Sequence, residues 1–190
     1  MRTHLKSKTL VFFSSCKQVR FVFEVFRRMR PGVPLMALHG KIKHAKRGYI
    51  FNDFMRKKSA VLFATDLAAR GLDFESVDWV LQADCPDDVE TYIHRVGRTA
   101  RFQRKGRGLL FLLPSEEEGM CKVLKEAKIP VKNLNLNSDK IMSISRRLAG
   151  FAAADGDIKY LAQKAFISYM KSIFLQRNKD VFKIREMPSL

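Results

Sequence analysis

Short apolar runs alternate along the first two thirds of the chain with longer segments in which apolar residues recur at helical spacing. The runs are rich in β-branched and aromatic residues, which favours buried strands. Strands are expected at residues 10–13, 35–38, 61–64, 77–81 and 109–113. Strands separated by helices are typical of a parallel sheet, so the pattern predicts an α/β fold.

Helical periodicity is clearest at residues 17–29 and 44–56, and a third helix is expected from an Asp87 or Asp88 cap to Val96. Near Pro130 the alternation stops, and the remaining apolar positions fall at helical spacing only. Two helices separated near residues 154–157 account for them. The chain is therefore expected to divide into an α/β domain at 1–130 and a helical extension at 131–190. The apolar stripe of the last helix is expected to pack onto the preceding domain; it comprises Ile158, Leu161, Ala165, Phe166, Tyr169, Ile173 and Phe174.

The amino-acid composition indicates which class of molecule the protein binds. Hydrophobic residues make up 46% of the 190 residues, which excludes a largely disordered chain. The formal net charge is +17, and residues 1–58 alone hold 15 basic and 2 acidic residues. A solvated basic surface explains any single lysine, but a surplus concentrated in one third favours a face that meets a polyanion.

Other features exclude several classes of protein. The three cysteines, Cys16, Cys85 and Cys121, are far apart and show no C-x-x-C spacing, so neither a disulfide framework nor a zinc site is indicated. A reducing compartment is the simplest expectation. No apolar run approaches the length needed to span a bilayer, and the first residues lack the apolar core of a secretory signal. We expect an intracellular protein without a membrane partner.

The segment at residues 92–101 carries the strongest candidate chemistry. On a continuous helix, His94, Arg98 and Arg101 would stand at i, i+4 and i+7, on nearly the same face. Such groups repel one another unless an anion lies in front of them, and guanidinium groups suit phosphoryl oxygens. A solvated basic helix face is the alternative, at about even odds on spacing alone.

A second candidate group follows the expected strand at 61–64. Ligands gather at the carboxyl ends of strands in open α/β sheets. Here Thr65 offers a hydroxyl and an amide to a phosphate, Gly71 permits close backbone approach, and Asp73 can accept from a ribose hydroxyl. In the plainer alternative, Asp66 caps a helix and Gly71 serves a turn.

A weaker third group follows the strand at 35–38. Gly40 can present backbone amides to an anion, and Arg47 on the next helix can reach the same point, whereas a lone His39 is usually a packed loop histidine. The sequence contains neither a G-x-x-x-x-G-K-[ST] loop nor an acidic Walker B cluster after a strand to hold magnesium. A complete nucleoside triphosphatase is therefore not expected.

Together these segments resemble the second RecA-like domain of a DEAD-box ATP-dependent RNA helicase. Residues 11–15 (VFFSS) resemble motif IV, residues 64–73, which end in Arg-Gly-Leu-Asp, resemble motif V, and residues 94–101 fit the H-R-x-G-R-x-x-R pattern of motif VI. The resemblance covers roughly residues 8–130. It implies a parallel-sheet RecA-like helicase C-terminal domain.

The resemblance also implies roles at a nucleotide site shared between two domains. Arg98 and Arg101 would be arginine fingers that reach the ATP phosphates, with magnesium held mainly by the N-terminal RecA-like domain. Asp73 would touch the ribose beside Gly71, and Phe102 could lie against the adenine. His94 and Arg95 would couple the site to the acidic motif of the N-terminal domain.

By the same resemblance, Ser15, Gly40, Arg47 and Thr65 would hold the RNA sugar–phosphate backbone. His44 stands where the family commonly has Gln, so the implied RNA contact at that position is in doubt. Lys41, Lys43 and Lys46 add positive charge nearby.

Residues 165–172 and 179–182 resemble the helical C-terminal extension of DEAD-box proteins of ribosome assembly. Residues 12–17 and 84–86 also resemble that group, particularly its small-subunit pre-rRNA (U14-dependent) helicases. This subgroup implies pre-rRNA or a snoRNA-containing pre-ribosome as partner and the nucleolus, within the nucleus, as location. The isolated chain is expected to be inactive as an ATPase. The open alternatives are a non-catalytic RNA- or protein-binding module and one half of a DNA helicase.

Overall fold

The computed structural model describes residues 5–74, 77–100, 105–134 and 142–186. A five-stranded, all-parallel sheet in the order β2-β3-β1-β4-β5 forms its centre. The strands are β1 (Lys8–Phe13), β2 (Leu35–Leu38), β3 (Ala60–Thr65), β4 (Trp79–Gln82) and β5 (Arg107–Leu110). The helices are α1 (Cys16–Met29), α2 (His44–Arg56), α3 (Asp66–Ala69), α4 (Val89–Val96), α5 (Pro114–Glu126), α6 (Ser145–Ala154) and α7 (Gly156–Leu175).

Both faces of the central strands are buried, which explains their continuous apolar sequence. Leu10 and Leu62 lie in one core cluster with Phe54 of α2, and Val11 and Phe63 lie in another with side chains of α1. Because successive residues of a strand point to opposite faces, α1 and α2 cover opposite sides of the sheet. The predicted α/β fold is confirmed, and β2 and α2 have the predicted bounds.

Several elements differ from the prediction, including β4 (Trp79–Gln82), which is expected at 77–81, and the short helix α3, where only an Asp66 cap is expected. The strand expected at 109–113 is β5 (Arg107–Leu110), displaced toward the amino end of the chain. The helix α5 was not anticipated, although it begins with Pro114 and Glu116 accepts a hydrogen bond from the Leu113 amide at 3.0 Å. The structure describes none of residues 101–104 or 135–141.

The C-terminal helix α7 runs along the α/β layer. At its start Asp155 accepts from the amides of Asp157 and Ile158 and forms an ion pair with Arg28 of α1, Nη2 to Oδ2 at 2.5 Å. At its end Gln176 donates to the carboxylate of Asp87 at 2.5 Å. The extension is therefore attached at both ends to the α/β layer.

A third core cluster joins α5, the end of α7 and the segment after it. Its buried members are Cys85, Met120, Leu124, Ile173, Val181 and Phe182. The prediction that the α7 stripe packs inward is wrong for Phe166 and Phe174, which are 37% and 62% exposed. Ile158, Leu161, Ala165 and Ile173 are buried, and α1 and α6 contact the helix. The division of the chain at residue 130 stays a prediction. Within the described residues, no helix is long and apolar enough to cross a membrane.

Candidate functional site

Three adjacent parallel strands end at the same edge of the sheet. Phe13 of β1 pairs with Thr65 of β3, and Leu38 of β2 pairs with Ala64, so the segments that follow them meet there. A Cβ placed on Gly40 would lie 3.6 Å from Leu67 Cδ2 and 4.0 Å from Cys16 Sγ. The candidate residues Ser15, Gly40 and Thr65 therefore gather at one edge.

Two of the candidate residues at this edge, Thr65 and Arg47, have a buried polar atom that lacks a partner among the described residues. The Thr65 side chain is buried, and its Oγ1 takes part in no hydrogen bond. The Nε of Arg47, in the first turn of α2, is also buried and unpaired. Ser15 differs, since its Oγ accepts from the Gln18 amide at 3.2 Å and caps α1. Unpaired buried polar groups are rare in folded proteins, so Thr65 and Arg47 indicate a contact completed by another molecule.

Arg95 of α4 is the most buried charged side chain of the site, at 1% exposure. Its Nε and Nη2 donate to Asp66 Oδ1 and Oδ2 at 2.8 and 2.7 Å. Its Nη1 donates to the Asp84 carbonyl at 2.9 Å, and its guanidinium lies 5.5 Å from the centre of the Phe12 ring. The residue therefore binds the loop after β3 to the loop after β4 from inside the domain. Asp66 is the first residue of α3, and Thr65 occupies the N-cap position.

A buried carboxylate extends this network toward β1. Asp84 Oδ2 accepts from the Ser14 amide at 2.7 Å and from Gln18 Nε2 at 2.9 Å. Burial raises the pKa of Asp84, while those two donors and Arg95 oppose the shift. The ends of β1, β3 and β4 are thus held together by hydrogen bonds to ionised or ionisable groups, which are stronger than neutral ones.

The helix α4 ends at Val96, and Gly97 is its C-cap. The expectation that His94, Arg98 and Arg101 share the face of one helix is therefore wrong for Arg98, which lies in the turn that follows. Arg98 is half-buried; its Nε donates to the His94 carbonyl at 3.1 Å and its Nη1 to the Leu72 carbonyl at 2.8 Å. His94 is exposed, with Nε2 4.0 Å from Glu90 Oε1.

The bond from Arg98 to Leu72 joins the two strongest motifs of the sequence. Asp73, which follows Leu72, is exposed. Gly71, which precedes Leu72, has a φ of +73°. The Arg98 guanidinium thus contacts the surface segment that contains Gly71 and Asp73. The pocket lined by Arg98, His94 and Arg95 has a volume of only about 20 Å³.

Alanine variants at Gly71 and at Gly48 are expected to change the stability in opposite directions. We expect Gly71→Ala to lower the free energy of unfolding by about 1–2 kcal/mol, because a side chain at positive φ meets its own backbone. No neighbouring atom lies within 4 Å of the added Cβ, so the cost comes from φ alone. Gly48→Ala in α2 also meets no neighbour and is expected to raise the stability by about 0.5–1 kcal/mol. Urea unfolding measures both, and equal effects would contradict the prediction.

Two candidate residues, Arg101 and Phe102, lie outside the described residues. Among the residues that the structure does describe, no group of three or more His, Cys, Asp or Glu side chains is arranged to hold a metal ion.

The family model for the helicase conserved C-terminal domain matches residues 1–103. The chain belongs to this family. A second model, for the C-terminal extension of ATP-dependent rRNA helicases similar to SPB4, matches residues 155–189. The resemblance to the second RecA-like domain of DEAD-box proteins, followed by a helical extension, is confirmed.

Similar curated proteins carry helicase names. The chain is 56% identical over 187 residues to the ATP-dependent RNA helicase dbp4 of Aspergillus clavatus, covering 98% of this chain and 23% of that protein. It is 51% identical over 188 residues to the probable ATP-dependent RNA helicase DDX10 of Mus musculus, covering 99% of this chain and 22% of that protein. The chain thus spans less than a quarter of the length of these relatives.

Similar solved structures are DEAD-box domains. The DEAD-box helicase Mss116 bound to single-stranded RNA and UDP-BeF matches with a TM-score of 0.78 and 26% identity, over 97% of this chain and 36% of that one. Domain 2 of Mss116p bound to an RNA duplex matches with a TM-score of 0.73 and 25% identity, over 97% and 71% of the two chains. The helicase C-terminal domain therefore includes the sheet edge and the α4 turn described above.

Proposed function

We propose that the chain is the C-terminal RecA-like half of an ATP-dependent RNA helicase, which supplies arginine fingers to ATP and part of the surface that holds the RNA backbone. The observation that carries this proposal is the bond from Arg98 to the Leu72 carbonyl, which places a guanidinium beside Gly71 and Asp73. The pocket of about 20 Å³ at Arg98 is far smaller than a ligand cavity of about 300–1,000 Å³. A second domain would supply the other wall.

The nucleotide-facing roles follow from this arrangement. Arg98 and Arg101 stabilise negative charge on the transferred phosphoryl group when the two domains close. Asp73 accepts from the ribose, and Phe102 lies against the adenine. ATP supplies the free energy for the cycle, with its magnesium held mainly by the N-terminal domain. The supporting chemistry is that guanidinium groups stay charged and bind two phosphoryl oxygens at once.

His94 and Arg95 differ in how they couple the two domains. His94 is exposed, which supports a direct contact with the acidic motif of the N-terminal domain. Arg95 is buried, so its coupling acts through Asp66, whose carboxylate it holds at 2.7–2.8 Å. We therefore regard Arg95 as a positioning residue.

The RNA-facing roles belong to the sheet edge. Ser15, Gly40, Arg47 and Thr65 contact the sugar–phosphate backbone, and the unpaired Thr65 Oγ1 and Arg47 Nε support this assignment. Contacts to the backbone read the geometry of RNA and leave its bases unread. Closure of the two domains on a single strand would bend it and prevent it from pairing with its complement.

The pre-rRNA, or a pre-ribosome that contains a snoRNA, is the RNA that we propose for the longer protein, with the nucleolus as its location. The support is the match of residues 155–189 to an extension of rRNA helicases. Crosslinking a tagged protein to RNA in cells and sequencing the recovered fragments tests the target. Recovery dominated by mRNA, or a signal outside nucleoli in microscopy, would contradict it.

The isolated 190-residue chain is expected to show no RNA-stimulated ATP hydrolysis, because its sequence lacks a P-loop. The measurement is phosphate release with and without single-stranded RNA. Addition of a separate N-terminal RecA-like domain is expected to restore part of the activity. Robust hydrolysis by the chain alone, abolished in Arg98→Ala, would overturn this prediction.

In the two-domain protein, stronger stimulation of ATP hydrolysis by RNA than by DNA of the same sequence separates an RNA helicase from a DNA helicase.

The affinity of the chain for single-stranded RNA is expected to fall steeply with salt, because binding releases counterions from the phosphates. Arg47→Ala is expected to weaken binding and to reduce the slope of log K against log salt by about 0.7, the contribution of one phosphate on a single strand. Lys122→Ala, an exposed change on α5, serves as the control and leaves the slope unchanged. Fluorescence anisotropy between low and moderate salt measures both. A flat salt response, or equal slopes, would contradict the assignment of Arg47.

A further inference from the structure

A groove with a volume of about 870 Å³ runs along the edge strand β2. The strand residues Leu35, Met36 and Ala37 line it, with side chains of α1 and of the start of α7 to one side and of α2 to the other. The roles assigned to the nucleotide and RNA sites involve none of these residues. The groove is near the upper limit of the volume range typical of ligand sites.

One edge of β2, the strand that lines the groove, is not paired with another described strand. Among the described residues, β2 pairs with β3 only, and it is the first strand in the sheet order. Leu35, Met36 and Ala37 are each only half-buried. An edge strand presents a row of backbone N–H and C=O groups that can bind a further extended chain. This edge therefore fits a peptide that adds to the sheet.

The rim of the groove is basic. Arg20 of α1 and Lys46 of α2 are exposed, and among the described residues neither has a carboxylate partner. Arg27 and Arg28 also line the groove, but they form ion pairs with Glu24 and, for Arg28, with Asp155. Asp157 of α7 also lines the groove, and the positive charge of Arg20 and Lys46 exceeds its single negative charge. The complement of this excess positive charge is a segment with acidic side chains.

A buried imidazole at the end of β2 lacks one hydrogen-bond partner. His39 is 8% exposed, lines the groove, and its Nδ1 has no hydrogen-bond partner among the described residues. Burial lowers the pKa of His39, and Arg20 and Lys41 lower it further, which favours the neutral ring. Each nitrogen of a neutral imidazole either donates or accepts one hydrogen bond, and the backbone of an extended peptide offers both an N–H donor and a C=O acceptor.

We propose that this groove binds an extended, acidic segment of a partner protein, which pairs with the free edge of β2, places an apolar side chain on Leu35 and Ala37, and directs its carboxylates toward Arg20 and Lys46. The Nδ1 of His39 forms a hydrogen bond with the backbone of the same segment. The apolar floor and the strand edge favour a peptide over RNA.

The test uses the 190-residue chain and a fluorescein-labelled heptapeptide in which Asp or Glu alternates with Ile, Phe and Val. A peptide of the same apolar residues with Lys at every acidic position is the matched probe for charge. Fluorescence anisotropy gives the affinities, and hydrogen exchange followed by mass spectrometry reports protection of residues 35–38. We expect the acidic peptide to bind, the Lys peptide not to bind, and exchange in β2 to slow.

Variants locate the binding to the groove. Arg20→Glu with Lys46→Glu is expected to weaken the acidic peptide about tenfold or more, since two attractive charges become repulsive. His39→Leu is expected to weaken it about fivefold, the value of one net hydrogen bond. The control pair, Lys122→Glu with Lys125→Glu on α5, makes the same change in net charge and is expected to have no effect.

Three outcomes would overturn the proposal. One is that no acidic peptide binds at low salt while circular dichroism shows a folded chain. Another is that the two charge-reversed pairs weaken the peptide equally, which indicates non-specific attraction. The third is that oligouridylate displaces the peptide and loses affinity in Arg20→Glu with Lys46→Glu, which assigns the groove to RNA. None of these results depends on ATP turnover, so they are independent of the proposed function.

Discussion

Arg95→Ala is expected to lower the free energy of unfolding of the chain by about 3–5 kcal/mol, the usual cost of removing one partner from a buried ion pair. The guanidinium is 1% exposed and holds both carboxylate oxygens of Asp66. Its loss would leave that carboxylate, which is 28% exposed, without its cation, and the Asp84 carbonyl without a donor. Urea unfolding followed by circular dichroism measures the change.

Arg98→Ala is the matched control for this prediction, because it removes the same side chain three residues away. Arg98 is half-buried and the hydrogen bonds described here go to carbonyl groups, so we expect a loss of only about 1 kcal/mol. The double variant Asp66→Asn with Arg95→Met removes both charges and is expected to be more stable than Arg95→Met alone. Equal costs for Arg95→Ala and Arg98→Ala would show that the buried pair does not hold the two loops together.

Local sequence signals predicted most of the fold. The apolar run at residues 35–38 and the helical periodicity at 44–56 gave the bounds of β2 and α2 correctly, because both elements bury what their own sequence makes apolar. The bounds of β5 were displaced for a tertiary reason. Gly108 lies so close to α4 that an added Cβ would be 3.2 Å from Val96, and the run at 109–113 does not reveal that contact.

The sequence predicted which residues form the candidate site but not which of them contact one another. Motif order brought Thr65, Gly71 and Arg98 forward as candidates, but nothing in the sequence pairs Arg95 with Asp66, 29 residues away. That pair depends on β4 lying next to β1, which only the sheet order reveals. The sequence did contain a signal against the placement of Arg98 on the face of one helix. Gly97 ends the helix, so the helical spacing does not extend to Arg98.

Arg95 is buried and Arg98 is half-buried, and we expect their functions to differ accordingly. Arg95 donates to groups of its own domain, so it fixes the short helix α3, which runs from Asp66 to Ala69. Arg98 extends from the turn after α4 to Leu72, and it lies at the surface where a second domain would approach. Stability and catalysis are therefore expected to respond to different members of one motif.

Arg98→Ala is expected to lower the rate of RNA-stimulated ATP turnover about a thousandfold in a two-domain helicase that carries this chain as its C-terminal half, the lower end of the range for an arginine finger. In the proposed role the charge of Arg98 acts on the transferred phosphoryl group in the closed state, so we expect kcat to fall while the KM for ATP and the affinity for RNA change about twofold or less. Steady-state kinetics and RNA anisotropy measure the three quantities.

Controls for Arg98→Ala separate a catalytic loss from a general effect of lost charge. Arg56 is exposed at the end of α2, beside the amino ends of the strands and thus at the opposite edge of the sheet, so Arg56→Ala is expected to leave kcat unchanged. Arg98→Lys keeps the charge but loses the planar fork that binds two oxygens, and we expect it to recover only a small part of the rate. If Arg98→Ala turned over ATP normally, the chain would serve as a binding module, and the contact between Arg98 and Leu72 would be structural only.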